Sequence, residues 1–155
     1  RACQTCDCEK LPENQKNIGL DSDVIFNIHD SCVTRNVSSH HESVRWIIEE
    51  LGYKYSEIER SKGNTRCCGV GGMVCSSNPE LYNRRAGDFN SEHIISYCGS
   101  CRGTMEAAGK DSLHILNLLH GEIYTKEQAQ KRGYKSEEEM WANRLESKRR
   151  LDEMK

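Results

Sequence analysis

Cysteines at three separated places, Cys32, the adjacent pair Cys67 and Cys68, and Cys98 with Cys101, each follow a strand-like run, and this coincidence limits what the chain can fold into. Asp23 to Asp30 (DVIFNIHD) is β-branched and apolar and reads as a buried strand. Lys54 to Glu59 (KYSEIE) alternates as a weaker second strand, and His93 to Cys98 (HIISYC) is a third. Ser112 to Leu119 (SLHILNLL) is apolar enough for a last strand passing into helix.

Helical stretches separate these runs. Val44, Ile47, Ile48 and Leu51 follow helical spacing, with Ser38 or Ser39 as the expected cap and Gly52 at the C-terminal stop. A second helix is predicted from Asn78 to Asn90, with Pro79 in its first turn, and a short third from Cys101 to Ala108, closed by Gly109. Strands alternating with helices predict an α/β fold, a parallel sheet with flanking helices. Sites in such sheets collect at the carboxyl ends of the strands, so three loops would deliver cysteines to one edge.

The chain has 9 cysteines, an odd number that argues against a fully paired secreted framework. Metal, iron–sulfur or redox-active thiol chemistry in a reducing compartment remains. A disulfide between Cys67 and Cys68 would strain the peptide joining them, whereas both sulfurs can serve one inorganic centre. The five cysteines of the three loops exceed the four ligands of tetrahedral zinc and suit a cluster of several irons. Gly69, Gly71 and Gly72 would let that loop approach such a centre closely and aim backbone N–H groups at its sulfur, or simply make a tight turn. Gly-Val-Gly-Gly does not complete the dinucleotide fingerprint.

Two rival readings use the same residues. Cys98-Gly-Ser-Cys101 opens a helix after a strand, as a thioredoxin-like dithiol does, although it comes late in the chain and neither Pro12 nor Pro79 follows it. Four of the cysteines, or a set including His29, could instead hold a structural zinc ion.

Taken together, HDSCVTR (residues 29–35), VRWIIEELG, RCCGVGG and ISYCGSCRGTMEAAGK resemble the cysteine-rich CCG domain of heterodisulfide reductase B-type subunits, over about residues 24–120. The form HDSC…CCGVGG…YCGSCR…HILNLL is similar to the carboxy-terminal CCG domain of multi-cofactor iron–sulfur oxidoreductases. The resemblance implies a Rossmann-like fold and an iron–sulfur centre, in some members a noncubane [4Fe-4S] cluster, held by Cys32, Cys67, Cys68, Cys98 and Cys101. It also implies electron transfer or disulfide reduction, with ferredoxin-like or flavin-bearing domains or subunits as partners. The best-studied members carry two such domains, and this chain shows one complete motif.

Other residues are less specific. Cys3, Cys6 and Cys8 form CxxCxC and could serve another cluster, or end a preceding domain, and Cys75 reads as a small packed apolar side chain. His29 could donate to a cluster sulfur or tie a strand end to a loop. Arg35, Arg66 and Arg102 flank the three cysteine loops and could offset thiolate charge or hold an anion; each is equally readable as a surface arginine.

The expected organisation is a cysteine-containing lead-in over 1–22, the CCG domain over 23–121 and a charged helical tail over 122–155, with little of the core from Tyr124 onward. The net charge of -2 gives no case for nucleic acid or an anionic membrane as partner. No run approaches transmembrane length and no signal peptide opens the sequence, so the expected compartment is cytoplasmic. The opening residue, Arg1, reads as the start of a piece of a longer protein.

Overall fold

A computed structural model describes residues 11–121, 123–132 and 137–154. Strands β1 (Ile25–His29), β2 (Lys54–Ser56), β3 (His93–Ser96) and β4 (Asp111–His114) form one parallel sheet in the order β2-β1-β3-β4. The predicted α/β class holds. From β1 the chain crosses to β2 on one side, then returns to place β3 on the other. The strand order therefore reverses between β1 and β3, and the crevice outside their carboxyl ends is the switch point where such sheets bind ligands.

Alternation along the strands splits the core in two. Phe26 and Ile28 of β1, with Ile95 and Leu113, pack against Val44 and Ile48 of α1 (Ser38–Glu50) and Leu51 just past its end. Ile94 faces the opposite way and packs with Phe89, Met105 of α4 (Gly99–Ala107), Cys68 and Cys101. The cysteine site is thus continuous with a hydrophobic core. Asn27 lies on the buried strand between β2 and β3 and is satisfied there, donating to Ser56 O at 3.0 Å and accepting from Ser91 N–H at 2.8 Å.

Helix ends explain the chain reversals. After α1, Gly52 adopts φ +80°, its N–H donates to Glu49 O, and Tyr53 N–H donates to Ile48 O. This is a Schellman closure, with Tyr53 packing in the same cluster as Ile48. Gly109, at φ +82°, closes α4 in the same way, through Gly109 N–H to Glu106 O and Lys110 N–H to Met105 O.

Several elements differ from expectation. Ser38 is already inside α1, and Val37 at its cap position leaves the side-chain cap unmade, because the helix is entered from the turn in which Val37 N–H donates to Thr34 O. β2 stops at Ser56, since Glu57 turns aside to pair with Arg45. α3 (Glu80–Ala86) is shorter than the predicted helix; Gly87 ends it, and Asp88 beyond takes Arg85 at 2.6 Å. β3 ends at Ser96, whose hydroxyl accepts Cys98 N–H at 3.2 Å and turns the chain.

The segments flanking the sheet also join the body. Asn17 and Gly19 donate to Glu50 O and Leu51 O, which ties the lead-in to the end of α1. Tyr124 is buried against Phe26, which corrects the expectation that little of the core comes from Tyr124 onward. α2 (Val74–Ser77) and α5 (Ile115–His120) run between them, and α6 (Lys126–Arg132) follows Tyr124. α7 (Glu137–Glu153) is helical, as expected for the charged tail, and its described side chains are exposed apart from the half-buried Glu146. Among the described residues, no helix is long and apolar enough to cross a membrane.

Candidate functional site

Cys32 opens a 3-10 turn just past β1. Cys67 and Cys68 lie between a second such turn, Lys62–Asn64, and α2. Cys98 occupies the N-cap position of α4, and Cys101 sits in that helix's first turn. All five are free thiols. Each stands beyond the carboxyl end of a different strand or shares a loop with one that does, as the alternation of strands and helices predicted.

The three loops meet through sulfur. Cys32 lies near enough to Cys67 and Cys68 for them to push its thiol up, and Cys101 stands likewise beside Cys68 and Cys98. Cys68 and Cys101 are buried, Cys32 and Cys98 are half-buried, and Cys67 is exposed, so the cluster of thiols has a covered side and an open one. The neighbouring Cys101 brings the Cys68 thiol down to about 5 against its burial, with help from Val70 N–H. Cys101 is pushed up by Cys68 and by burial. Burial, then Cys67, pushes Cys32 up. Among the described residues, no three His, Cys, Asp or Glu side chains already surround a point where one metal ion would sit.

Of the glycines in this loop, Gly69 is the one whose backbone conformation needs glycine. Its φ of +91° favours glycine, and its N–H points at Cys67 Sγ at 3.3 Å. A side chain at Gly71 would meet open space, and at Gly72 it would only touch Val74 at 3.4 Å, so the geometry around these two is that of an ordinary turn.

The flanking arginines are engaged with protein. Arg35 donates to Thr65 O at 2.7 Å, two residues before Cys67, and its charge draws the Cys32 thiol downward. Arg66 pairs with Asp88 at 3.4 Å, and Arg102 with Glu106 at 3.1 Å. His29 is buried edge-on to Phe89, its Nε2 without a hydrogen-bond partner, and burial pushes it down to about 4. Its Nε2 donates to none of the five cysteine sulfurs. Cys3, Cys6 and Cys8 lie outside the described residues; Cys75 falls in α2, and its side chain lies outside them too.

One residue that sequence reasoning passed over joins the loops. Asp30, fully buried at the end of β1, accepts Arg45 Nη1 and Nη2 at 3.0 and 2.9 Å, Lys62 N–H at 2.6 Å and the Tyr97 hydroxyl at 3.2 Å. Its own carbonyl accepts the Thr65 hydroxyl at 2.6 Å. A signal was present in Arg45, a cation beside Val44 on the apolar face of α1, where a buried charge needs a buried partner.

Comparison with known proteins agrees with this geometry. A family model described as "Cysteine-rich domain", CCG, matches residues 26–106. A component of the dihydromethanophenazine:CoB--CoM heterodisulfide reductase of Methanosarcina acetivorans is 31% identical over 102 residues, which cover 61% of this chain and 24% of that protein. Its counterpart in Methanosarcina barkeri is 29% identical over 93 residues, 55% of this chain and 22% of the relative. A "Probable membrane-anchored ferredoxin" of Chromohalobacter salexigens is 25% identical over 101 residues, 58% of this chain and 15% of the relative. The matched region thus spans under a quarter of each relative's length. No solved structure matches the chain.

Proposed function

The chain belongs to the cysteine-rich CCG domain family, and from that premise we propose that it is an iron–sulfur redox domain of a heterodisulfide-reductase-like oxidoreductase, with Cys32, Cys67, Cys68, Cys98 and Cys101 as ligands to a [4Fe-4S] cluster. The observation that supports the proposal is that three loops beyond the strand ends of a parallel sheet carry five free thiols to the switch-point edge. The donor set fits. Thiolate is the ordinary ligand of iron–sulfur clusters, and such a cluster when bound supplies one-electron chemistry.

The residues around the thiols support that use. Cys68 and Cys101 are shielded from water by Ile58, Phe89, Ile94 and Met105, which lowers the local dielectric on one side. Gly69 N–H donates to Cys67 Sγ, and Val70 N–H favours the Cys68 thiolate. Cys67, exposed at the rim, leaves an open side for a partner protein or a substrate disulfide. A fifth thiolate is surplus to a cubane with one external ligand per iron, so we assign the noncubane arrangement implied by the family resemblance. Reducing a disulfide to two thiols consumes two electrons and two protons. We therefore assign the electron supply to a separate redox domain or subunit, ferredoxin-like or flavin-bearing, in a reducing, cytoplasmic compartment.

Anaerobic isolation followed by iron and sulfide counts and EPR tests the proposal. About four irons per chain with a thiolate-ligated cluster signal are expected. A colourless protein holding one zinc ion per chain, and taking up no iron on reconstitution, overturns it.

A further inference from the structure

The three cysteine loops are tied together beneath the thiols by one buried carboxylate. Asp30 Oδ2 takes Lys62 N–H at 2.6 Å, and the Asp30 carbonyl takes the Thr65 hydroxyl at 2.6 Å, which secures the loop that presents Cys67 and Cys68. Asp30 Oδ1 takes the Tyr97 hydroxyl at 3.2 Å, and Tyr97 also shares a 2.7 Å hydrogen bond with Thr34, which secures the loop that presents Cys98. Asp30 itself lies two positions before Cys32, with only Ser31 between them. Arg45, nearly buried, spans both carboxylate oxygens and meets the cost of placing the charge there. Thus one residue bonds into every loop that carries a sulfur, and none of its hydrogen bonds goes to a sulfur.

We infer that Asp30 is the positioning residue of the cysteine site, holding the loops of Cys32, Cys67–Cys68 and Cys98 in register so that the sulfur-bearing loops stand side by side before any ligand arrives. The inference rests on the iron–sulfur reading for its cluster readout only; the loop register can be read in the metal-free protein.

Arg45 also pairs with Glu57, at 2.5 Å through Nε, and Glu57 reaches the second cysteine loop only through the exposed Lys62 side chain at 3.8 Å. This supplies a control. Asp30→Asn and Glu57→Gln each remove one charge from Arg45, but only the first releases the loops. In the reconstituted protein, Asp30→Asn is expected to lose iron to a ferrous chelator about tenfold faster than wild type and to change the EPR signal, with Glu57→Gln staying near wild type. In the reduced, metal-free protein, brief diamide oxidation followed by peptide mapping reads whether Cys32 and Cys67 still meet. Asp30→Asn is expected to lower the yield of that disulfide by about tenfold, because the effective concentration of the two thiols depends on loop placement.

Thermal melts of both variants separate loss of register from loss of fold. Where Asp30→Asn does not fold, Tyr97→Phe, which removes only the third-loop hydroxyl, decides the matter by chelator rate and by the yield of the Cys68–Cys101 disulfide. A folded Asp30→Asn with wild-type disulfide yield overturns the inference, as does matching behaviour of Asp30→Asn and Glu57→Gln in both readouts. If wild type itself takes up no iron, the proposed function fails, and the disulfide yields still decide the role of Asp30.

Discussion

Cys68 and Cys101, carried on loops that follow different strands, are buried in one cluster with Ile94 and Met105. That shared burial joins the adjacent pair to the CxxC segment. Both sulfurs are therefore expected to be indispensable ligands. Cys68→Ser and Cys101→Ser should each abolish the cluster chromophore on anaerobic reconstitution, and Cys67→Ser should alter its spectrum. Cys75→Ser should leave iron content and EPR unchanged. Retention of an unaltered cluster by either adjacent-pair variant, with its loss in Cys75→Ser, would mean that the ligands are misassigned.

The thioredoxin-like alternative makes a different forecast. Cys98 does sit at the N-cap of α4, as a dithiol nucleophile would, but Cys101 is buried in one cluster with Cys68 of another loop as well. A dithiol catalyst would keep insulin-disulfide reduction when Cys32 or Cys68 becomes serine. The expected result is that both substitutions bleach the cluster, and that the metal-free protein shows no insulin reduction beyond the background of free thiols.

Much of the architecture was legible because it rests on local patterning. The run from Ile25 to His29, the stop at Gly52 and the helix opened by Cys98 all appear close to where periodicity puts them. The cysteine loops fell at strand ends for the same reason. What was not legible is long-range. Asp30 reads as the polar end of a strand, and only the fold brings it to Arg45, Lys62 and Tyr97. Gly69 and Gly71 are two residues apart in one glycine-rich loop, yet only Gly69 takes the left-handed conformation. Tyr124 lies in a stretch whose composition is that of a solvated tail, and its partners Phe26 and Asp111 are remote in sequence.

His29 should make the domain sensitive to acid. Its folded value of about 4 lies below the ordinary 6.5 because burial disfavours the imidazolium. Between those values the unfolded chain binds a proton that the folded one does not, so stability rises with pH and is lost as pH falls from 6.5 towards 4. The full loss from this group is about 3 kcal/mol. Urea unfolding of the reduced protein at pH 7 and pH 4.5 should show most of that difference. His29→Phe, which keeps a ring against Phe89, should flatten the pH dependence; an equally steep dependence in that variant would acquit His29.

The position of Tyr124 changes what truncation should do. Its ring lies 5.9 Å from that of Phe26, its hydroxyl donates to Asp111 at 2.7 Å, its N–H donates to the Tyr53 hydroxyl at 2.8 Å, and its carbonyl accepts Ser22 Oγ–H at 2.5 Å. Ending the chain at Gly121 removes all four contacts and opens the α1 side of the core, on the scale of an aromatic-to-alanine change, about 3–5 kcal/mol. Ending it after Arg132 keeps Tyr124 and the half-buried Ala129 in place. Thermal melts of the two truncations should therefore differ: the longer form should melt within a few degrees of the full chain, and the shorter one well below it. Tyr124→Phe isolates the hydroxyl, whose loss leaves the Asp111 carboxylate with His93 at 2.8 Å and should cost about 1 kcal/mol. Equal melting of both truncations would show that the core closes without Tyr124.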